Sequence, residues 1–281
     1  YAFAWIAAGR SADYEYGKAL TAINKALKYL PKKDIQYTSW VYSMRGEIYL
    51  ALEDTLAALQ DYSQAIKISP DNEEYYIDRG EIYYHLGLLE ESAADYLQIM
   101  DINPGSVMGY MGLGRILRDQ EEYDRAIELF TYVIKIHPEY ASGYSFRAEC
   151  LIKQNRYNEA ADDILTALDI NEDNKAFLML LEEYTSANHL ALLKAKFQIK
   201  KNKEPNNVYW YYYYGAILES NKLYKEAIEQ YKAGKRISAA PLLDERIAMC
   251  YSKLGDYQSA IENINLAIAV DSTDADYYEE R

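Results

Sequence analysis

Three histidines, His85, His137 and His189, and two cysteines, Cys150 and Cys250, are the residues of this 281-residue chain with the side chains to hold a metal or to serve as base and nucleophile. Such chemistry needs several groups converging on a rigid frame, and these five are too sparse and too widely separated to share one. The run GYMGLG, with Gly109, Gly112 and Gly114, has the wrong glycine order for a dinucleotide fingerprint and follows no strand. The acidic pairs Glu90–Glu91 and Glu121–Glu122 fall at turns and at the starts of helices, where negative charge suits the helix dipole. The reading is therefore of no catalytic site, no metal and no cofactor.

The elements that carry these residues are helices. Thirteen glycines and six prolines are few for this length, so turns are scarce and regular segments long. A net charge of −14 repels phosphates and anionic head groups, which makes nucleic acid and membrane surfaces poor partners. No stretch approaches the ~18 apolar residues of a membrane span. A 34-residue period then organises the chain: Pro70, Pro104, Pro138; Gly46, Gly80, Gly114; Tyr42, Tyr76, Tyr110, Tyr144; Tyr62, Tyr96, Phe130; Ala126, Ala160. Within a period, SWVYSMRGEIYLALEDTLAALQDYSQAIKISP shows apolar residues at helical spacing, a polar break at Glu53 and Asp54, a second helical run and a proline stop. Each unit reads as a helical hairpin.

This pattern resembles the tetratricopeptide repeat family, in which an aromatic, a small residue, a further aromatic or Leu, then Ala, an aromatic, Ala and Pro recur over 34 residues. The resemblance implies an all-α solenoid of stacked antiparallel hairpins coiled as a right-handed superhelix, a single domain over residues 1–281. Its units run approximately 1–33, 39–72, 73–106, 107–140, 141–173, 174–207, 208–240 and 241–274, with a partial unit at 275–281. All six prolines, Pro31 included, fall at joins between units. The unit near Asn174 places Leu181, Leu193 and Lys200 where small residues belong, so its hairpin is expected to be distorted. Both ends stop inside a unit, which suggests an excerpt of a longer protein.

The repeats provide their own alignment. Gly46, Gly80, Gly114 and Gly215 mark close helix crossings, and Tyr62, Tyr96, Phe130 and Tyr231 close each hairpin from the second helix. Tyr49, Tyr83, Leu117, Leu151 and Leu218 are expected to fill the layer between hairpins, and Cys150 and Cys250 replace core isoleucines. Arg45, Arg79 and Arg147 each have an aspartate sixteen residues on, Asp61, Asp95 and Asp163; where the arginine becomes Leu113, the aspartate becomes Leu129. That joint change predicts three bridges between the helices of a hairpin and one apolar contact, because a stranded buried charge costs several kcal/mol.

The resemblance further implies a concave groove lined by first helices that binds peptides or partner helices. First-helix residues left over by the core are Trp40, Ser43, Glu47, Glu74, Ile77, Glu81, Tyr84, His85, Met108, Met111, Arg115, Arg118, Ser145, Glu149, Tyr209, Tyr212 and Glu219. Glu47, Glu74, Glu81 and Glu149 would suit a Lys- or Arg-bearing segment, or form a plain solvated face. Arg115 and Arg118 would fork onto a carboxylate, or balance nearby glutamates. In the tyrosine run, Tyr211 and Tyr214 are expected in the core, with Tyr209, Tyr212 and Tyr213 toward the groove. Relatives that clamp acidic chaperone tails use lysine, asparagine and arginine at inner places that here hold Ser43, Met44, Glu47, Glu74 and Asp78, which would repel such a tail. The basic stretch Lys194, Lys196, Lys200, Lys201 and Lys203 is expected to be solvated. The function implied is a non-enzymatic scaffold for a protein or extended peptide, partly basic; the alternative is a structural or self-associating module, such as a homodimer, that positions another domain. A soluble chain is expected, cytoplasmic, or periplasmic after removal of an upstream signal.

Overall fold

The structure, a computed structural model, describes residues 12–30, 34–170, 189–238 and 240–270, with side chains from residue 16 onward. Pro31, Leu181, the opening of the first hairpin and the partial unit at 275–281 lie outside the described residues. Among those described there are fourteen α-helices and no strand. Two compact units divide the chain, Tyr1–Pro138 and Glu139–Arg281. The first contains α1 (Ala12–Tyr29), α2 (Ile35–Ala51), α3 (Thr55–Ile68), α4 (Glu73–His85), α5 (Leu89–Ile102), α6 (Val107–Asp119) and α7 (Tyr123–Ile136). The second contains α8 (Ala141–Lys153), α9 (Tyr157–Ile170), α10 (Leu190–Lys203), α11 (Val208–Ser220), α12 (Tyr224–Lys235), α13 (Pro241–Lys253) and α14 (Tyr257–Val270). Consecutive helices pack in pairs: α2 with α3, α4 with α5, α6 with α7, and, in the second unit, α8 with α9, α11 with α12, α13 with α14.

Helix starts follow from local chemistry. Asp34 and Asp54 accept the backbone N–H of Tyr37 and Ala57 at 3.2 and 3.1 Å, and Asn72 and Asn207 cap α4 and α11 in the same way. Pro241 begins α13, where its missing N–H costs nothing. Glu90 and Glu91 lie in the first turn of α5 as the dipole argument requires. The other acidic pair behaves differently: Glu122 precedes α7 without a capping bond and binds Arg125, while Glu121 sits in the turn at φ 62°. The same left-handed place within each hairpin turn is held by Glu53, Gly87, Asn155, Lys222 and Gly255.

Four of the described hairpins close where an aromatic ring of the second helix lies on a glycine of the first; in α8–α9 and α13–α14 buried Ala148 and Ala248 hold the small place, with Ile164 and Ile264 in place of the ring. A Cβ on Gly46 would come within 2.9 Å of Tyr62, on Gly114 within 2.5 Å of Phe130, and on Gly215 within 2.4 Å of Tyr231. Tyr96 is held from both sides, with ordinary room at Gly80 but only 2.2 Å from a Cβ on Gly112 of the next first helix. The glycines of GYMGLG are thus the groove that admits Tyr96 and Phe130. Tyr62, Tyr96, Phe130 and Tyr231 are all buried, as are Cys150 and Cys250.

The three expected bridges are present and bidentate. Arg45 binds Asp61 at 2.6 and 2.7 Å, Arg79 binds Asp95 at 2.9 and 2.7 Å, and Arg147 binds Asp163 at 2.7 and 2.6 Å. Burial pushes the carboxyls of Asp95 and Asp163 up, and the arginine bonds only offset this in part. Tyr49 and Tyr83 are half-buried rather than central to the layer between hairpins: their rings flank Arg45 and Arg79 at 5.8 and 5.7 Å. Leu117, Leu151 and Leu218 are buried. Leu113 and Leu129 are both half-buried.

The lysine run corrects the expectation of a solvated surface. Lys196 and Lys200 of α10 bind Asp162 and Asp169 of α9, each at 2.5 Å, and Lys194 binds Glu226 of α12 at 2.9 Å. Lys201 is buried, donates to Gln230 and lies 4.8 Å from the ring centres of both Tyr211 and Tyr214. Leu193 and Phe197 fill the core behind them.

Two outcomes follow for stability. Arg79→Ala strands Asp95 and should cost about 3 kcal/mol in urea unfolding, whereas Arg79→Leu with Asp95→Leu, copying Leu113 and Leu129, should stay within about 1 kcal/mol of the parent. Glu121→Gly relieves a left-handed residue and should stabilise by about 0.5–1 kcal/mol, read as a higher midpoint with an unchanged slope.

Candidate functional site

In the first unit the first helices α4 and α6 touch directly, and polar residues fill the face that they share. Arg115 Nη1 donates to Glu81 Oε1 at 2.7 Å, and its guanidinium lies 4.3 Å from the centre of the Tyr84 ring. The Tyr84 hydroxyl donates to Asp119, which also takes Arg118 Nε at 2.9 Å, and Tyr96 donates to Glu81 at 2.6 Å from the second helix behind. Arg115 and Arg118 therefore already neutralise carboxylates of the face. The partners stand one repeat apart, Glu81 with Arg115 and Tyr84 with Arg118, at the spacing of 34 that the sequence displays.

Toward α2 the face is acidic and has no such balance. Glu47 and Glu74 are exposed, and both press on Asp78, which is half-buried. Burial first, then the charges of Glu47 and Glu74, push the Asp78 carboxyl up to about 6. Burial and Glu74 push Glu47 upward as well. Among the described residues no Lys or Arg forms an ion pair with any of the three, and no group of His, Cys, Asp and Glu is placed to hold a metal. Asp78, one of the inner places named from the sequence, lies near the buried Tyr62, whose hydroxyl is pushed above the ordinary phenol range first by burial and then by the Asp78 charge. A cavity of about 310 Å³ opens beside it, walled by Leu50, Ile82 and Leu86, with Asp78, Glu81 and His85 on its polar side.

The remaining candidates are less uniform. Trp40 is half-buried, packs against the cluster around Ile23 and Val41, and meets Tyr37 with ring centres 5.2 Å apart. Ser43 and Met111 are buried and so leave the list of groove residues; Met111 lies on α6, which touches the first helix α4, and Ser43 turns its hydroxyl back to the Trp40 carbonyl of its own helix at 2.9 Å. Ile77 packs against the core around Tyr96, Met108 is exposed, and Ser145 and Glu149 are half-buried on α8 of the second unit.

On α11 the buried rings are Trp210 and Tyr213, while Tyr211 and Tyr214 are half-buried: the helix is turned by one residue from the expected orientation, and Tyr213 is core. The cause is Trp210, whose Nε1 donates to Glu204 at 2.8 Å while its ring meets Phe197. Tyr209 is 37% exposed, and Tyr212 is half-buried beside Tyr231. Nearby, Glu219 accepts from Tyr231 at 2.8 Å and from Arg246 at 2.9 Å.

Models of the TPR repeat match residues 46–87, and tetratricopeptide repeat models match residues 117–184, 73–106 and 245–274. These matches together span more than half of the chain. The chain belongs to the tetratricopeptide repeat family. A search of curated proteins found no match. Among solved structures, Pseudomonas aeruginosa pilF is similar at 12% identity, over 88% of this chain and 98% of that one, with a TM-score of 0.52. The C-terminal part of a TPR repeat-containing protein from Cytophaga hutchinsonii is 14% identical over 94% of each chain, with a TM-score of 0.51. Likeness at such identity establishes the fold. No described helix is long and apolar enough to cross a membrane.

The raised Asp78 carboxyl gives a pH signature. Its stabilising contribution is complete below the ordinary carboxylate range and is lost as pH rises through about 6, since the folded state holds its proton more tightly than the unfolded one. Asp78→Asn should therefore stabilise the protein at pH 7.5 by about 1–2 kcal/mol, after allowance for solvent screening, and have little effect at pH 4. Paired thermal melts at the two pH values check this.

Proposed function

We propose that this protein is a non-enzymatic binding scaffold that holds an extended segment of a partner protein against the first helices of its hairpins. Membership of the tetratricopeptide repeat family, whose fold is typical of interaction modules, supports the class. The observation that carries the reading is the face of α4 and α6: its polar side chains are held by one another and by rings anchored in the core, so little ordering remains to be done there when a ligand arrives. The acidic part of that face favours a partner with basic residues and disfavours polyanions such as nucleic acid.

Selection from a random dodecapeptide display library against the intact chain should return binders. Their addition should slow amide hydrogen exchange in the first helices, α2, α4 and α6, ahead of the second helices, α3, α5 and α7. An empty selection, or protection confined to the second helices, would refute the scaffold reading.

A further inference from the structure

The hairpin of α6 and α7, in which leucines replace the Arg–Asp bridge, departs from its neighbours at a second place. In the three bridged hairpins a first-helix tyrosine lies beside the guanidinium: the rings of Tyr42, Tyr76 and Tyr144 have their centres 5.4, 5.8 and 5.9 Å from Arg45, Arg79 and Arg147. Tyr110 holds the same place in α6, but the residue three further on is Leu113. Its ring packs instead on Tyr132 of α7, with centres 4.3 Å apart and planes inclined by 35°. The place of Tyr132 is taken by Gln64, Gln98 and Thr166 in the bridged hairpins, so a second tyrosine enters where the bridge is lost. Both hydroxyls donate to one acceptor, the Pro104 carbonyl, at 3.1 and 3.3 Å, which holds the two phenol oxygens at the same end of the stack.

We propose that Tyr110 and Tyr132 form an oxidative cross-linking site, at which hydrogen peroxide and a haem peroxidase join the two rings as dityrosine and staple α6 to α7. Each ring gives up one electron and its phenolic proton. A carbon–carbon bond then forms between the ring carbons ortho to the two oxygens, and the hydrogens displaced from those carbons return to the oxygens as the rings regain aromaticity. The pair loses two hydrogen atoms in all, and the peroxide takes them up to give two molecules of water. Coupling of two tyrosyl radicals is ordinarily bimolecular, and the contact between the stacked rings removes the search. The shared carbonyl brings the ortho carbons together along with the oxygens that they flank. Access agrees, because both rings are half-buried and so reach solvent. Three other tyrosine pairs, Tyr212–Tyr213, Tyr212–Tyr231 and Tyr209–Tyr213, are wider at 5.5, 6.2 and 6.4 Å, and each includes a buried ring, Tyr213 or Tyr231.

The test treats the intact chain, in dilute solution, with a haem peroxidase and an equimolar amount of hydrogen peroxide, and isolates the monomer by gel filtration so that links between molecules are set aside. The monomer should show the blue fluorescence of dityrosine and a mass lower by two hydrogen atoms. Digestion and tandem mass spectrometry should give a linked peptide pair that joins Tyr110 to Tyr132 in greater yield than any other tyrosine pair. Tyr110→Phe and Tyr132→Phe keep the stacked rings and should each abolish that link and reduce the monomer fluorescence several-fold. Tyr132→Gln, which copies Gln64 and Gln98, should do the same, and Tyr42→Phe, at the like place of a bridged hairpin, should leave the link unchanged. A parent monomer whose Tyr110 and Tyr132 stay unlinked, or in which another pair predominates, would overturn the site without recourse to any variant. So would Phe variants as fluorescent as the parent.

Discussion

The fold depends on an aromatic ring seated on a bare stretch of the facing helix. Where Tyr62, Phe130 and Tyr231 lie on Gly46, Gly114 and Gly215, the addition of a single methyl group would drive atoms to 2.4–2.9 Å, closer than carbon atoms tolerate. That contact fixes the distance between the two helices of these hairpins, and with it the register in which Arg45 meets Asp61. It also links core to surface. At Tyr96 and Tyr231 the hydroxyl reaches past the glycine to a first-helix carboxylate, Glu81 and Glu219, which accepts it. Phe130, which has no hydroxyl, imposes no such demand.

The Arg–Asp bridges show how a polar contact inside a hairpin is tolerated. Burial works against Asp95 and Asp163, so these pairs contribute little net stability compared with a packed apolar pair, and one hairpin carries Leu113 and Leu129 instead. Their geometry still has consequences beyond the hairpin. Arg79 Nη1 donates to Ser63 of α3 at 2.9 Å, and Arg45 Nη1 donates to Asn24 of α1 at 2.6 Å, so each guanidinium also ties its hairpin to the helix before it.

Most of the scaffold was legible because the chain repeats itself. The period of 34 exposed the glycines, the rings over them, the prolines and, through their joint change to leucine, the Arg–Asp partners. Contacts between consecutive hairpins were harder to read. Ser43 and Met111 lie on the inner face by helical projection, yet both are buried; Tyr213 is buried because Trp210 sets the rotation of α11 through Glu204; and Lys201 finds an amide and two rings where a solvated lysine was expected. The pairs Glu81–Arg115 and Tyr84–Arg118 obey the same period of 34, so comparison of like positions for opposite charge would have found them. The left-handed turn place was hidden because only Gly87 and Gly255 mark it; Glu53, Glu121, Asn155 and Lys222 occupy it against their local preference.

The buried tyrosines have an optical consequence. Burial, and then the negative charge of Asp78, Glu81 or Glu219, opposes phenolate formation at Tyr62, Tyr96 and Tyr231, all of which are pushed far above the ordinary phenol range. In alkaline solution these three keep the ultraviolet absorbance of the protonated ring as long as their hairpins remain closed. The chain thus contains intrinsic chromophores that distinguish a closed hairpin from an open one without any label.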